Sequence, residues 1–156
     1  MKKFFFLLTF LCCIGFIAAQ TPQIVTGHPD FKVKVARCAA SGKTVILDLI
    51  FTNVSATDVE DWSIYTIYGL QKSEVYDSEG NIYDVSNLSV KVSNRDFSSG
   101  YYNLKMISEV PMKVSLQITG VPTTVESLAR VDLVVFIPFF NIGQTPVKIK
   151  NIPISR

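Results

Sequence analysis

The chain has 156 residues, of which 48% are hydrophobic and 18% charged, with a formal net charge of +2 at pH 7. That length allows one domain with its own apolar core. A charge so near zero gives no electrostatic basis for binding nucleic acid, which rests on neutralising phosphates.

At the N terminus, Lys2 and Lys3 precede an unbroken apolar run from Phe4 to Ile17, and Ile17 and Ala19 suit the −3 and −1 positions of a cleavage site. This pattern predicts a cleaved signal peptide over residues 1–19 and a secreted or periplasmic protein. The alternative, a membrane anchor, needs about 20 apolar residues. This run is shorter and ends in small residues, so no membrane span is expected after cleavage. Cys12 and Cys13 sit too deep in the run for lipidation and leave with it. Cys38 then stands alone, and no internal disulfide framework is available. It reads as a small hydrophobe at a strand end; the alternative is an intermolecular disulfide or a reactive thiol.

Residues 20–30, with Pro22, Gly27 and Pro29, read as a flexible leader. Strand patterns follow. Phe31, Val33 and Val35 alternate with Lys32, Lys34 and Ala36. Val45, Leu47, Leu49 and Phe51 share one face of the next strand, and Ile46, Asp48 and Ile50 the other. Two largely apolar faces predict a central strand. Asn53 to Asp61 is polar and turn-like, and Trp62 to Tyr68 reads as a third strand. Further strands are predicted at Ser73 to Tyr76, Ile82 to Val85, Leu88 to Ser93, Tyr101 to Ile107, Met112 to Thr119 and Arg130 to Phe136. Pro146 to Ile154 carries the prolines and lysines of an exposed edge strand. Only Thr123 to Ala129 suggests a helical turn. The sum is an all-β chain whose residues 31–156 form a two-layer antiparallel sandwich of about eight or nine strands.

The run Asp77-Ser-Glu-Gly-Asn-Ile-Tyr-Asp84 gathers oxygen-bearing side chains around a glycine. A twelve-residue calcium loop places its glycine sixth and closes on a bidentate glutamate. Here the glycine is fourth and no glutamate follows. Asp at the first turn position and Gly at the fourth are type I turn chemistry, so a hairpin is expected. The sequons Asn53-Val-Ser55 and Asn87-Leu-Ser89 likewise mark turns.

These residues also carry a resemblance. The run Val45-Ile-Leu-Asp-Leu-Ile-Phe-Thr-Asn-Val-Ser55, the spacing of Asp77, Gly80 and Tyr83, and the closing strands Val110 to Pro122 and Ala129 to Val135 resemble small secreted bacterial domains. Those domains have a telokin-like, immunoglobulin-type sandwich and are largely grouped as domains of unknown function. The short Lys-Lys signal ending in Ala-Gln is similar to those of the Bacteroides group. The resemblance implies an immunoglobulin-like fold and a non-catalytic module, and it lends no site residues.

Catalytic chemistry finds little purchase. His28 lies in the leader between Gly27 and Pro29, a poor place for a triad base. One histidine and one remaining cysteine cannot assemble zinc or copper sites of the usual types. No phosphate-cradling glycine loop and no nucleophile elbow is present. Asp58, Glu60 and Asp61 beside Trp62 resemble a glycosidase constellation, but read as a solvated loop. No enzyme, metal or cofactor is therefore expected.

Aromatics are the functional lead. Alternation puts Trp62 and Tyr68 on one face and Tyr65 on the other, with Trp62 where immunoglobulin-type sandwiches place a core anchor. Tyr101 and Tyr102 are adjacent, so one points away from the core. In Phe136-Ile-Pro-Phe-Phe-Asn-Ile142, Phe136 and Phe140 fall opposite Ile137 and Phe139. Burial is expected there; the alternative is an exposed patch marking a partner surface. The candidate contact residues are thus Tyr65, Tyr101, Tyr102, Phe136 and Phe140. The function expected is protein–protein interaction or a structural role at the cell envelope. The alternative is a carbohydrate- or small-ligand-binding module using exposed aromatics, with a glycan as partner.

Overall fold

The computed structural model describes residues 21–138 and 146–156. The expected signal peptide and Phe140 lie outside the described residues. Among those described there is no α-helix, and no helix long and apolar enough to cross a membrane. In chain order the strands are β1 (Gln23–Val25), β2 (Phe31–Ser41), β3 (Thr44–Asn53), β4 (Val59–Tyr65), β5 (Ile67–Tyr68), β6 (Gln71–Lys72) and β7 (Glu74–Asp77). They continue as β8 (Ile82–Tyr83), β9 (Leu88–Val92), β10 (Gly100–Met106), β11 (Met112–Thr119), β12 (Ser127–Phe136) and β13 (Pro146–Pro153).

Period-two alternation decides the layers. In β3, Val45, Leu47, Leu49 and Phe51 are wholly buried, while Ile46 and Ile50 on the other face are partly covered. β3 pairs with β2 on one side and β11 on the other, and β9 completes a four-stranded sheet in the order β2-β3-β11-β9. The larger sheet runs β1-β13-β12-β4-β10, and β7, with β8 beyond it, also pairs with β12. Every ladder between these strands is antiparallel, with isolated parallel bridges only at Ala39–Ser155 and Asn53–Ser108 among the described residues. The inward residues of both sheets form one core cluster, so the arrangement is sandwich-like. Phe31 meets Phe51 edge-on at 5.2 Å, and Phe51 meets Trp62 of the opposite sheet at 6.0 Å. A fully buried side chain of this kind contributes about 1.5–3 kcal/mol over leaving it exposed. Cys38 belongs to this core. Burial, with the nearby Asp48 charge adding to it, pushes its thiol pKa up to about 12, so the thiol stays protonated and protected.

Several expectations need correction. β13 is not an edge: Gln23, Ile24 and Val25 pair with Lys150, Ile149 and Lys148 on its far side. The leader expected over residues 20–30 therefore contributes a strand, and it covers the edge that the lysines of β13 had suggested was open. Thr123 and Thr124 form a turn rather than a helical turn, and Ser127 already belongs to β12. Val121 and Val125 are drawn into the core there, and the Arg156 guanidinium donates to the carbonyls of Pro122 (3.0 Å) and Val125 (2.8 Å). The third strand stops at Tyr65. Thr66 turns away to donate its N–H to the Ser99 carbonyl at 2.7 Å, and Ile67 and Tyr68 pair with Lys72 and Gln71 in a separate hairpin.

The Asp77 segment is the hairpin the sequence predicts. Val75 and Tyr76 pair with Tyr83 and Ile82, and Gly80 takes φ 89°. Asp77 accepts from the N–H groups of Glu79 and Asn81 (both 2.9 Å), the Asn81 amide (2.8 Å) and the Tyr83 hydroxyl (2.7 Å). Burial pushes the Asp77 pKa up, but these hydrogen bonds outweigh it, and the carboxyl titrates below the ordinary aspartate range. Both oxygens are committed to the turn. Asn53 works similarly between β3 and β4. Wholly buried, it donates to the Thr57 carbonyl at 2.7 Å and accepts from the N–H and hydroxyl of Ser55.

Candidate functional site

Tyr65 ends β4 on the outer face of the larger sheet, opposite to Ile64 in the core. It is only 3% exposed because two other tyrosines cover it. Tyr68 stacks on it at 4.9 Å with the rings 20° apart, and Tyr102 leans against it at 5.1 Å and 44°. The break at Thr66 makes this possible: a continuous strand would have sent Tyr68 to the face of Trp62, as alternation predicted. Ser73 holds the β5–β6 hairpin down, its hydroxyl donating to the Tyr65 carbonyl at 2.6 Å and accepting from the Val134 N–H at 2.9 Å.

On the other side β10 approaches β4 closely. A Cβ at Gly100 would lie 3.0 Å from the Ile64 carbonyl oxygen and 3.3 Å from Tyr65, so any side chain there would force the two strands to give by a few tenths of an ångström. The β10–β4 register shifts between Tyr101 and Leu104, leaving Tyr102 and Asn103 outside regular pairing. Asn103 sits at φ 51° and Asp61, on the facing strand, at φ 57°. Each left-handed residue costs about 1–2 kcal/mol, which Asn and Asp tolerate best. Together Asp61, Ser63, Tyr65, Tyr68, Tyr102, Asn103 and Phe136 enclose an open hollow of about 320 Å³. Burial raises the Tyr65 hydroxyl pKa, a Ser63 hydrogen bond lowers it in part, and Tyr68 and Tyr102 raise it further, so Tyr65 stays a neutral phenol. The hollow offers aromatic faces within a rim of one carboxylate, one amide and hydroxyls. It suits a flat apolar group with polar edges.

Of the candidate contact residues, Tyr65, Tyr102 and Phe136 come together here. Tyr101 does not: its hydroxyl donates to the Asp96 carbonyl and the Arg95 guanidinium lies over its ring at 5.4 Å. Trp62 is wholly buried in the core. The sequence reading missed Tyr68, Asp61, Ser63 and Asn103. Gly69, at φ 59° in Tyr68-Gly69-Leu70, is the turn signal that should have ended the third strand early. The acidic cluster splits: Asp58 and Glu60 pair with Lys105 at 3.0 and 2.8 Å, while Asp61 lines the hollow. His28 accepts from the Asp30 N–H through Nδ1 at 3.1 Å.

No protein-family model matches the chain, and no curated protein matches it in sequence. Among solved structures, it is similar to AvmM, which catalyses macrocyclisation in alchivemycin A biosynthesis. The TM-score is 0.47 at 8% identity, covering 83% of this chain and 90% of that one. It is also similar to a family 123 glycoside hydrolase from Clostridium perfringens, with TM-score 0.43 and 8% identity, covering 86% of this chain but only 26% of the hydrolase. Both are enzymes, so the expectation that this chain is not an enzyme is withdrawn. At this level of likeness neither lends the chain an activity.

Proposed function

We propose that this chain is a secreted, immunoglobulin-like module that binds a protein partner at the cell envelope through the tyrosine hollow and the adjoining β5–β6 hairpin. The observation that carries this reading is the exposure of large apolar side chains on one short hairpin and its neighbour. Leu70 is 101% exposed at the hairpin tip, and Tyr68 and Tyr102 are 44% and 56% exposed beside it. Closing a hairpin does not require leucine or tyrosine in water, and a cluster of them is costly unless a partner covers it. Aromatic anchors around a hollow with a polar rim have the anatomy of an interface hot spot. Strand order supports the immunoglobulin-like assignment. Counting β2, β3, β4, β9, β11, β12 and β13 as A to G gives A-B-E-D in one sheet and G-F-C in the other, with Trp62 on C. The inserted β10 beside C is the main departure. The signal-like residues 1–19 support secretion.

Co-purification from the native envelope tests the reading. A partner retained by the wild-type chain and lost by both Leu70→Asp and Tyr102→Ala, each with unchanged thermal unfolding, supports it; equal retention by all three refutes it. A glycan is the second reading, favoured by Tyr68 and Tyr102 flanking Tyr65 within reach of Asp61 and Asn103. Calorimetry against a glycan panel checks it, since Trp62 lies in the core and cannot report on the hollow.

A further inference from the structure

The outer face of the smaller sheet carries a second hollow, of about 410 Å³, roofed on one side by the β9–β10 loop. Four residues form one cross-strand row beneath it: Arg37 is registered with Asp48, Asp48 with Ser115, and Ser115 with Lys91. Asp48 is 4% exposed, although it projects away from the core. Its Oδ2 receives Arg37 Nε at 3.0 Å and Lys113 Nζ at 3.1 Å, and Oδ1 accepts from the Ser115 hydroxyl at 2.6 Å. A β-bulge between Val35 and Arg37 puts Arg37 in this row, since unbroken pairing would have set Ala36 opposite Asp48. Bulges of this kind re-aim a side chain.

The charge does not balance. One carboxylate faces three cations, because Lys91 lies over the Phe97 ring at 5.8 Å and also lines the hollow. Asp96, on the same loop, is exposed and does not line it. One cation would neutralise Asp48. A second fixed on the same oxygen, and a third beside it, leave a positive, partly enclosed site with unspent donors.

We infer that this hollow binds an oxyanion, the carboxylate or phosphate group of a small solute. The Nη atoms of Arg37 and the ammonium groups of Lys113 and Lys91 are the donors. Asp48 is the positioning residue that holds two of them. Ser93 and Asn94 add neutral polar groups, and Phe97 and Ile46 offer apolar walls to the carbon skeleton.

Calorimetric titration of the whole chain with inorganic phosphate and with glucuronate tests this. At least one probe should bind, more weakly as salt is raised. Lys91→Gln and Arg37→Gln should each weaken binding by roughly fivefold or more. Lys91→Gln leaves all three partners of Asp48, namely Arg37, Lys113 and Ser115, in place, so its thermal unfolding should match wild type. Tyr102→Ala should bind the probe unchanged, which keeps this outcome independent of the partner surface. Preference for phosphate or glucuronate identifies the source of the oxyanion. Absence of binding by both probes, or binding that both charge variants leave intact, overturns the inference.

Discussion

Replacing Asp77 by alanine removes four hydrogen bonds from the β7–β8 hairpin, and their surroundings decide what each loss costs. The N–H groups of Glu79 and Asn81 and the Asn81 amide lie in an exposed turn where water replaces the carboxylate. Each net loss there is about 0.5 kcal/mol. The Tyr83 hydroxyl differs, because Tyr83 is buried in the core cluster and has Asp77 as its acceptor at 2.7 Å. Leaving it unsatisfied costs about 1–3 kcal/mol. Asp77→Ala should therefore destabilise the protein by about 2.5–4.5 kcal/mol. Tyr83→Phe deletes the stranded donor, so Asp77→Ala should cost less in that background, with coupling of about 1 kcal/mol or more. Urea unfolding followed by Trp62 emission measures all four corners, since Trp62 is the only tryptophan and is wholly buried. The native Asp77 pKa lies below its unfolded value near 3.9, so its contribution is complete above about pH 4 and is lost as pH falls through the native pKa. Wild type should lose more stability than Asp77→Ala between about pH 5 and pH 2. A cost under about 0.5 kcal/mol, or strict additivity with Tyr83→Phe, would refute the account of this turn.

Other expectations follow from the core and the outer sheet face. Trp62→Ala should cost about 3–5 kcal/mol in urea unfolding, and Trp62→Phe much less, because the indole N–H finds no acceptor among the described residues. Tyrosine emission or circular dichroism must follow those variants. Cys38 should resist alkylation in the native protein and react once urea exposes it, as mass-spectrometric mapping of the labelled peptide would show; rapid native labelling would contradict its burial. Asp48→Ala should destabilise by about 1–3 kcal/mol, less than a fully buried ion pair, because Arg37 and Lys113 are half-exposed and regain water.

Much of the sandwich was legible because alternation is a local signal. Val45, Leu47, Leu49 and Phe51 announce an inward face by spacing alone, and two apolar faces correctly put β3 between neighbours. Asp77, Gly80 and Tyr83 specify a turn through chemistry that acts within a few residues. The candidate hollow was half legible. Tyr65 and Phe136 point outward by the same alternation, but Tyr102 does so only because the β10 register shifts before Leu104. Tyr68 reaches them only because Thr66 leaves the strand for Ser99, more than thirty residues away in the chain. Arg37 reaches Asp48 through a bulge that no residue type in β2 signals.

Taken alone, the order of residues determined which faces are oily, where several of the turns fall, and that a single histidine, with Cys38 the only cysteine outside the N-terminal apolar run, restricts the metal chemistry open to it. Those properties depend on neighbours within a few bonds. Which strand covers which edge was settled only by tertiary pairing: β1 closing over β13, β10 closing on β4 at Gly100, and β9, β11, β3 and β2 aligning Lys91, Ser115, Asp48 and Arg37 in one row. Pairing between distant segments is a competition among all strands for partners, and it is resolved by the burial of the whole core rather than by any one stretch.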